Sequence, residues 1–82
     1  MFKLIWDDQA YDELNKLEGP IRRRIFNRID KLSDNPFLGD IKKLKGDDSF
    51  RLRIGDYRVI FEVNGNIITI LKVGHRKNVY DR

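Results

Sequence analysis

The stretch FRLRIGDYRVIFEVNGNIITILKV, residues 50–73, decides the fold. Phe50, Leu52 and Ile54 alternate with Arg51 and Arg53, and beyond Gly55-Asp56 the apolar Tyr57, Val59, Phe61 and Val63 alternate with Arg58, Ile60 and Glu62. A period of two marks a strand, because successive side chains leave it on opposite sides. The two runs form a β-hairpin. Asn64-Gly65-Asn66 supplies the next turn, since Asn and Gly tolerate positive φ. Ile67 to Val73 then follows as a third strand, apolar on both faces apart from Thr69 and Lys72, which predicts a place inside the sheet.

Upstream, the period changes. Phe2, Leu4 and Trp6 alternate with Lys3, with Ile5 apolar on the other side, giving a mostly buried opening strand. Asp7 or Asp8 offers a carboxylate to cap a helix carrying Ala10, Leu14 and Leu17 at helical spacing, with Asp12, Glu13 and Lys16 facing water. Gly19 stops it and Pro20 suits the first turn of a second helix, which runs to about Ser33 with Ile21, Ile25, Ile29 and Leu32 on one stripe. After Asp34-Asn35-Pro36, residues 37–49 read as a loop or a short irregular edge around Leu44. The predicted order is β-α-α-β-β-β: a single α+β domain over residues 1–82, with a largely antiparallel sheet and a helical hairpin packed on one face.

Composition narrows the function. The chain has no cysteine and one histidine, so disulfides, thiolate nucleophiles and cysteine zinc sites are excluded and no metal or other cofactor is expected. The apolar patch at Met1–Asp7 is far too short for a signal peptide, and no stretch approaches the ~20 apolar residues of a membrane span. A cytoplasmic location is expected. Residues 1–40 carry seven Lys/Arg against eight Asp/Glu, whereas residues 41–82 carry ten against five. That positive field is suited to a phosphate backbone or an acidic protein partner.

If the apolar side of the hairpin faces the helices, Arg51, Arg53 and Arg58 emerge together on the uncovered side, where Glu62 is the hairpin's only carboxylate. Guanidiniums left largely unpaired suit a polyanion. Past the last strand, Gly74 permits a sharp turn, and His75, Arg76, Lys77 and Tyr80 follow.

Leu44-Lys45-Gly46, the run from Phe50 to Phe61, and Val73-Gly74-His75-Arg76-Lys77-Asn78-Val79-Tyr80 together resemble the RelE/ParE toxins. The resemblance implies a microbial toxin paired with a RelB-like antitoxin, and for the RelE branch a ribosome-dependent, metal-independent endoribonuclease that cuts mRNA in the ribosomal A site. Carried over by motif, the catalytic positions fall on Arg51, Arg53, Arg58, Arg76 and Tyr80. Lys42, Lys43, Lys45 and Lys77 are expected to contact RNA or the ribosome.

In such chemistry a 2′-hydroxyl loses a proton, the phosphorane gains charge and the 5′-oxygen is protonated as it leaves. Arg58 and Arg76 fit the second task, because a guanidinium holds two phosphate oxygens at once. Arginine keeps its proton at neutral pH. Tyr80 is therefore the candidate base or orienter of the 2′-hydroxyl, with His75 the alternative. RelE members carry lysines where this chain has Arg51 and Arg53, which turns the search for a proton donor toward His75 or Lys77. Some relatives use a Glu/His pair, for which Glu62 and His75 are the nearest analogues.

The arginines of the second helix are read as a solvated or antitoxin-facing surface. The chain stops two residues after Tyr80, so the antitoxin is expected to cover the basic face rather than displace a C-terminal helix. The resemblance leaves two other functions open: a ParE-type toxin that binds and poisons DNA gyrase, and a silent RNA-binding domain.

Overall fold

The computed structural model describes residues 1–44 and 48–79. Strand β1 (Lys3–Trp6) leads into helices α1 (Asp8–Asn15) and α2 (Gly19–Asp30), and a 3-10 turn (Lys31–Ser33) tightens the end of α2. Strands β2 (Ile41–Lys43), β3 (Ser49–Ile54), β4 (Tyr57–Asn64) and β5 (Ile67–His75) complete a sheet of order β1-β5-β4-β3-β2. Among the described residues only the β1–β5 pair is parallel. The α+β architecture is the expected one, with a strand gained: Ile41–Lys43, expected as a loop or irregular edge, pairs with β3 along the sheet margin.

Local chemistry accounts for the helices. Asp7 caps α1 by accepting the Gln9 backbone N–H at 3.2 Å. The Lys16 N–H closes the last turn of α1 on the Asp12 and Glu13 carbonyls, and in the link to α2 Arg22 donates to the Leu17 carbonyl at 3.0 Å. Gly19, expected to end the first helix, instead opens α2, with Pro20 in the first turn where a missing N–H costs nothing.

Ala10 and Leu14 of α1, Ile25 and Ile29 of α2, and Leu32 are buried against Leu52, Ile54, Val59, Phe61, Ile68, Ile70 and Val73 of the sheet. Both helices therefore cover one face and leave the other to the hairpin's charged residues. A β-bulge explains why β5 looks apolar on both sides. Ile60 pairs with Lys72 but Phe61 with Ile70, so the register skips Leu71 and both Ile70 and Val73 reach the core. The Val73 N–H, just past the bulge, donates to the Glu13 carboxylate at 2.8 Å. Glu13, expected to face water, thus ties α1 to β5.

Between α2 and β2 the chain turns at Gly39, with φ of +107°. The Arg28 guanidinium lies against it and donates to the Leu38 carbonyl, so a Cβ at Gly39 would run into that side chain. Gly65 also has positive φ, at +59°, but open space around it. Gly39→Ala is expected to cost about 1–3 kcal/mol and Gly65→Ala about 1 kcal/mol, because φ of +107° is further from what alanine tolerates than +59°, while the Arg28 end group can swing aside. Urea unfolding checks this, and equal costs at the two sites would rule out the backbone argument.

Candidate active site

The β3–β4 register sets the site. Arg53 pairs directly with Arg58, and Arg51 with Ile60, so the three arginines share the helix-free face. Lys42 joins them by pairing with Arg51, and Lys72 by pairing with Ile60. Lys43 pairs with Phe50 and so belongs to the opposite face.

Arg58 is 8% exposed and reaches back over the turn, where one guanidinium nitrogen donates to the Gly55 carbonyl at 2.8 Å and to the Tyr57 carbonyl at 3.0 Å. Among the described residues its other nitrogens take no partner. The cross-strand partner of Arg58 is Gly74. Gly74 was expected to open a turn but lies within β5, and its missing side chain makes room for Val79 on that face. The chain turns after His75, where Asn78 and Val79 donate to the His75 carbonyl at 2.8 and 3.1 Å. Val79 then returns onto the face, buried, with Cγ2 3.5 Å from where a Gly74 Cβ would stand.

Arg76 reaches the same turn through Asp56. Its backbone N–H donates to the Asp56 carbonyl at 2.8 Å, and its Nε lies 3.8 Å from Asp56 Oδ1. Arg53, Arg58 and Arg76 thus gather around Gly55-Asp56.

One carboxylate was missed. Asp40 stands just before β2, its carbonyl accepting the Arg53 N–H at 2.9 Å and its carboxylate lying 3.5 Å from Arg51 and 3.8 Å from Arg53. It enters the site because β2 pairs with β3, a contact no local pattern announces. Asp40 is about half exposed, so these pairs are worth roughly 0–1 kcal/mol each. A single carboxylate shared by two guanidiniums leaves the face positive.

His75 lies elsewhere. It pairs with Tyr57, whose ring it meets edge-on at 5.5 Å, on the face that carries Val59 and Val73. Its Nδ1 accepts the Lys77 N–H at 3.2 Å. Glu62, by contrast, pairs with Ser49 and Thr69. Glu62 lies five steps along β4 from Tyr57, the partner of His75, about 17 Å at ~3.4 Å per residue, and the two positions occupy opposite faces. A Glu62/His75 acid–base pair is thereby excluded. Tyr80 and Lys45 lie outside the described residues, and Lys77 is exposed in the turn after β5.

Among the described residues no cluster of His, Asp and Glu is arranged to hold a metal ion, and no helix is long and apolar enough to cross a membrane. The arrangement offers permanently charged bidentate donors, fixed by sheet register, that can take up negative charge on a phosphate.

A family model of the ParE toxin of type II toxin–antitoxin systems (parDE) matches residues 4–80. The chain belongs to the RelE/ParE toxin family. Toxin RelE3 of Methanocaldococcus jannaschii is 37% identical to it over 84 residues, spanning 96% of either chain. A chain of the archaeal RelE–RelB complex from Pyrococcus horikoshii OT3 superposes with a TM-score of 0.82 at 32% identity, covering 95% of this chain and 98% of that one. The RelB–RelE antitoxin–toxin complex from Methanococcus jannaschii gives 0.78 at 35% identity, covering 94% and 95%. Within the RelE/ParE family these relatives are RelE proteins, and the chain is a type II toxin of the RelE type.

Proposed function

We propose that this RelE-type toxin is an endoribonuclease that cuts mRNA in the ribosomal A site, by attack of a 2′-hydroxyl on the adjacent phosphodiester. The observation that carries the reading is the direct pairing of Arg53 with Arg58 on the face that no helix covers. Arg58 holds the non-bridging oxygens as the phosphorane forms, with Arg76 at the same turn. Arg51 and Arg53 hold the flanking phosphate, and Lys42 extends the same field. Tyr80 orients or deprotonates the 2′-hydroxyl. Guanidiniums here take the charge-neutralising role that a metal has in other nucleases.

The natural inhibitor is a RelB-like antitoxin laid across the basic face, and the site of action is the cytoplasm, where translated message is found. A gyrase-directed activity is the rival. It makes no use of a row of guanidiniums aligned for a phosphodiester.

Primer extension on a translated message separates these functions. The proposed one yields cuts positioned by codon that require ribosomes; uncut message, or identical cutting of naked RNA, would overturn it. In the same assay Tyr80→Phe is expected to lower the rate by about 10²-fold, the usual scale for a general base. His75→Gln is expected to stay within about threefold of wild type, because the imidazole faces Tyr57 on the other side of β5. A large loss in His75→Gln with the fold intact would return the acid–base role to His75.

A further inference from the structure

A second basic site lies beside the first. Arg24, Asn27, Arg28 and Lys31 of the α2 side and Arg53 with Gly55 of the hairpin line an open groove of about 440 Å³. Among the described residues no carboxylate lines it. The groove is built with some care. The Arg28 guanidinium is anchored by the Leu38 carbonyl against Gly39, and the Arg24 guanidinium approaches Gly55 so closely that a Cβ there would lie 3.1 Å from its Nη2. Cations held this near one another repel, and Asp40 offers Arg53 only an exposed pair at 3.8 Å.

Arg53 belongs both to this groove and to the arginine face. The positive surface therefore continues from Arg58 around the end of β3 to α2. We propose that the groove binds the phosphodiester backbone of the RNA strand flanking the cleaved bond, so that α2 extends the path of the message. The proposal rests on the endoribonuclease reading. A peptide fits the groove poorly, since a segment that folds on binding must bury apolar anchors and, among the described residues, the only apolar side chain here, Ile54, already belongs to the core. A phosphate chain needs none; it needs fixed donors at its own spacing.

The test uses the full chain and 2′-O-methylated oligouridines of four and twelve nucleotides, which cannot supply the attacking hydroxyl. In the double variant Arg24→Gln/Lys31→Gln the salt dependence for the twelve-mer is expected to be shallower by about 1.4, from ~0.7 per phosphate contact on a single strand. Its affinity falls roughly tenfold or more at low salt, while the four-mer, held on the arginine face, binds as before. The double variant Arg24→Lys/Lys31→Arg keeps the charges and is expected to restore most of the twelve-mer's affinity, which guards against a mere folding defect. Equal losses for both lengths, or no loss for either, would overturn the proposal. So would unchanged oligouridine binding with weakened cosedimentation on ribosomes, which would assign the groove to ribosomal RNA instead. Wild-type cleavage of a translated message is run in parallel. Its absence sinks the endoribonuclease reading, whereas its presence alongside length-independent binding sinks only the groove.

Discussion

Replacing Arg58 by alanine is expected to lower cleavage on saturating ribosomes by about 10²–10³-fold, the effect of removing one preorganised donor from a developing oxyanion. The donor is preorganised because the site fixes it twice. The β3–β4 register sets its backbone opposite Arg53 and Gly74, and the carbonyls of Gly55 and Tyr57 hold one end of its guanidinium. Little reorganisation remains when the phosphorane forms, so the interaction is strongest in the transition state. The loss should then appear in kcat and kcat/KM alike rather than in KM. Arg58→Lys keeps the charge but not the fork, and is expected to fall between the two. The alanine variant also forfeits hydrogen bonds from a charged group to two carbonyls, costing roughly 1–3 kcal/mol of stability. Rates are therefore compared well below both melting temperatures, with circular dichroism confirming the folded fraction. Cleavage within about threefold of wild type in folded Arg58→Ala would remove Arg58 from the chemistry.

The parts of this site legible in the sequence are those that obey a local period. Alternation from Phe50 to Val63 fixed which arginines share a face, because one face of the hairpin is marked apolar and the other charged. The same rule fails in β5. Ile67 to Leu71 is nearly unbroken apolar sequence, so nothing marks the residue at which the bulge skips Leu71 and moves His75 to the helix-covered face. The sequence shows His75 only as a neighbour of Arg76 and an alternative proton carrier; its place beside Tyr57 follows from the bulge.

Strand β2 was illegible for another reason: three residues with one apolar member carry no measurable period, and the strand exists only because β3 offers an unpaired edge. With it came Asp40, the carboxylate between Arg51 and Arg53. The α2 arginines read as a solvated surface because the helical pattern shows only which residues avoid the core. That Arg24 lies against the hairpin turn and Arg28 against the link before β2 depends on Gly55 and Gly39, outside the helix, leaving room for them.

The largest loss of stability is expected from Phe61→Ala. Phe61 is fully buried on β4, the middle strand of the five, and its ring stacks on Phe50 with centroids 5.6 Å apart. Truncating a buried phenylalanine costs about 3–5 kcal/mol. A domain of this size has in total about 4–12 kcal/mol, at roughly 0.05–0.15 kcal/mol per residue. At ~4–8 °C per kcal/mol the melting temperature should fall by more than about 12 °C. Phe61→Leu refills most of the volume and is expected to cost less than about 1.5 kcal/mol, the scale of a shape-conserving swap.

The variant also tests how the core serves the site. Phe61 lies on the face opposite Arg51, Arg53 and Arg58, yet it pins the register that keeps Arg53 opposite Arg58, since a one-residue slip would send Phe61 to the open face and the arginines into the core. A slip that costly is not populated while the domain stays folded. The rate per folded molecule of Phe61→Ala at low temperature should therefore remain within about threefold of wild type, although total activity collapses on warming. A rate that falls in proportion to neither the folded fraction nor this limit would mean that the register tolerates slippage, and that the arginines are held by something other than the sheet.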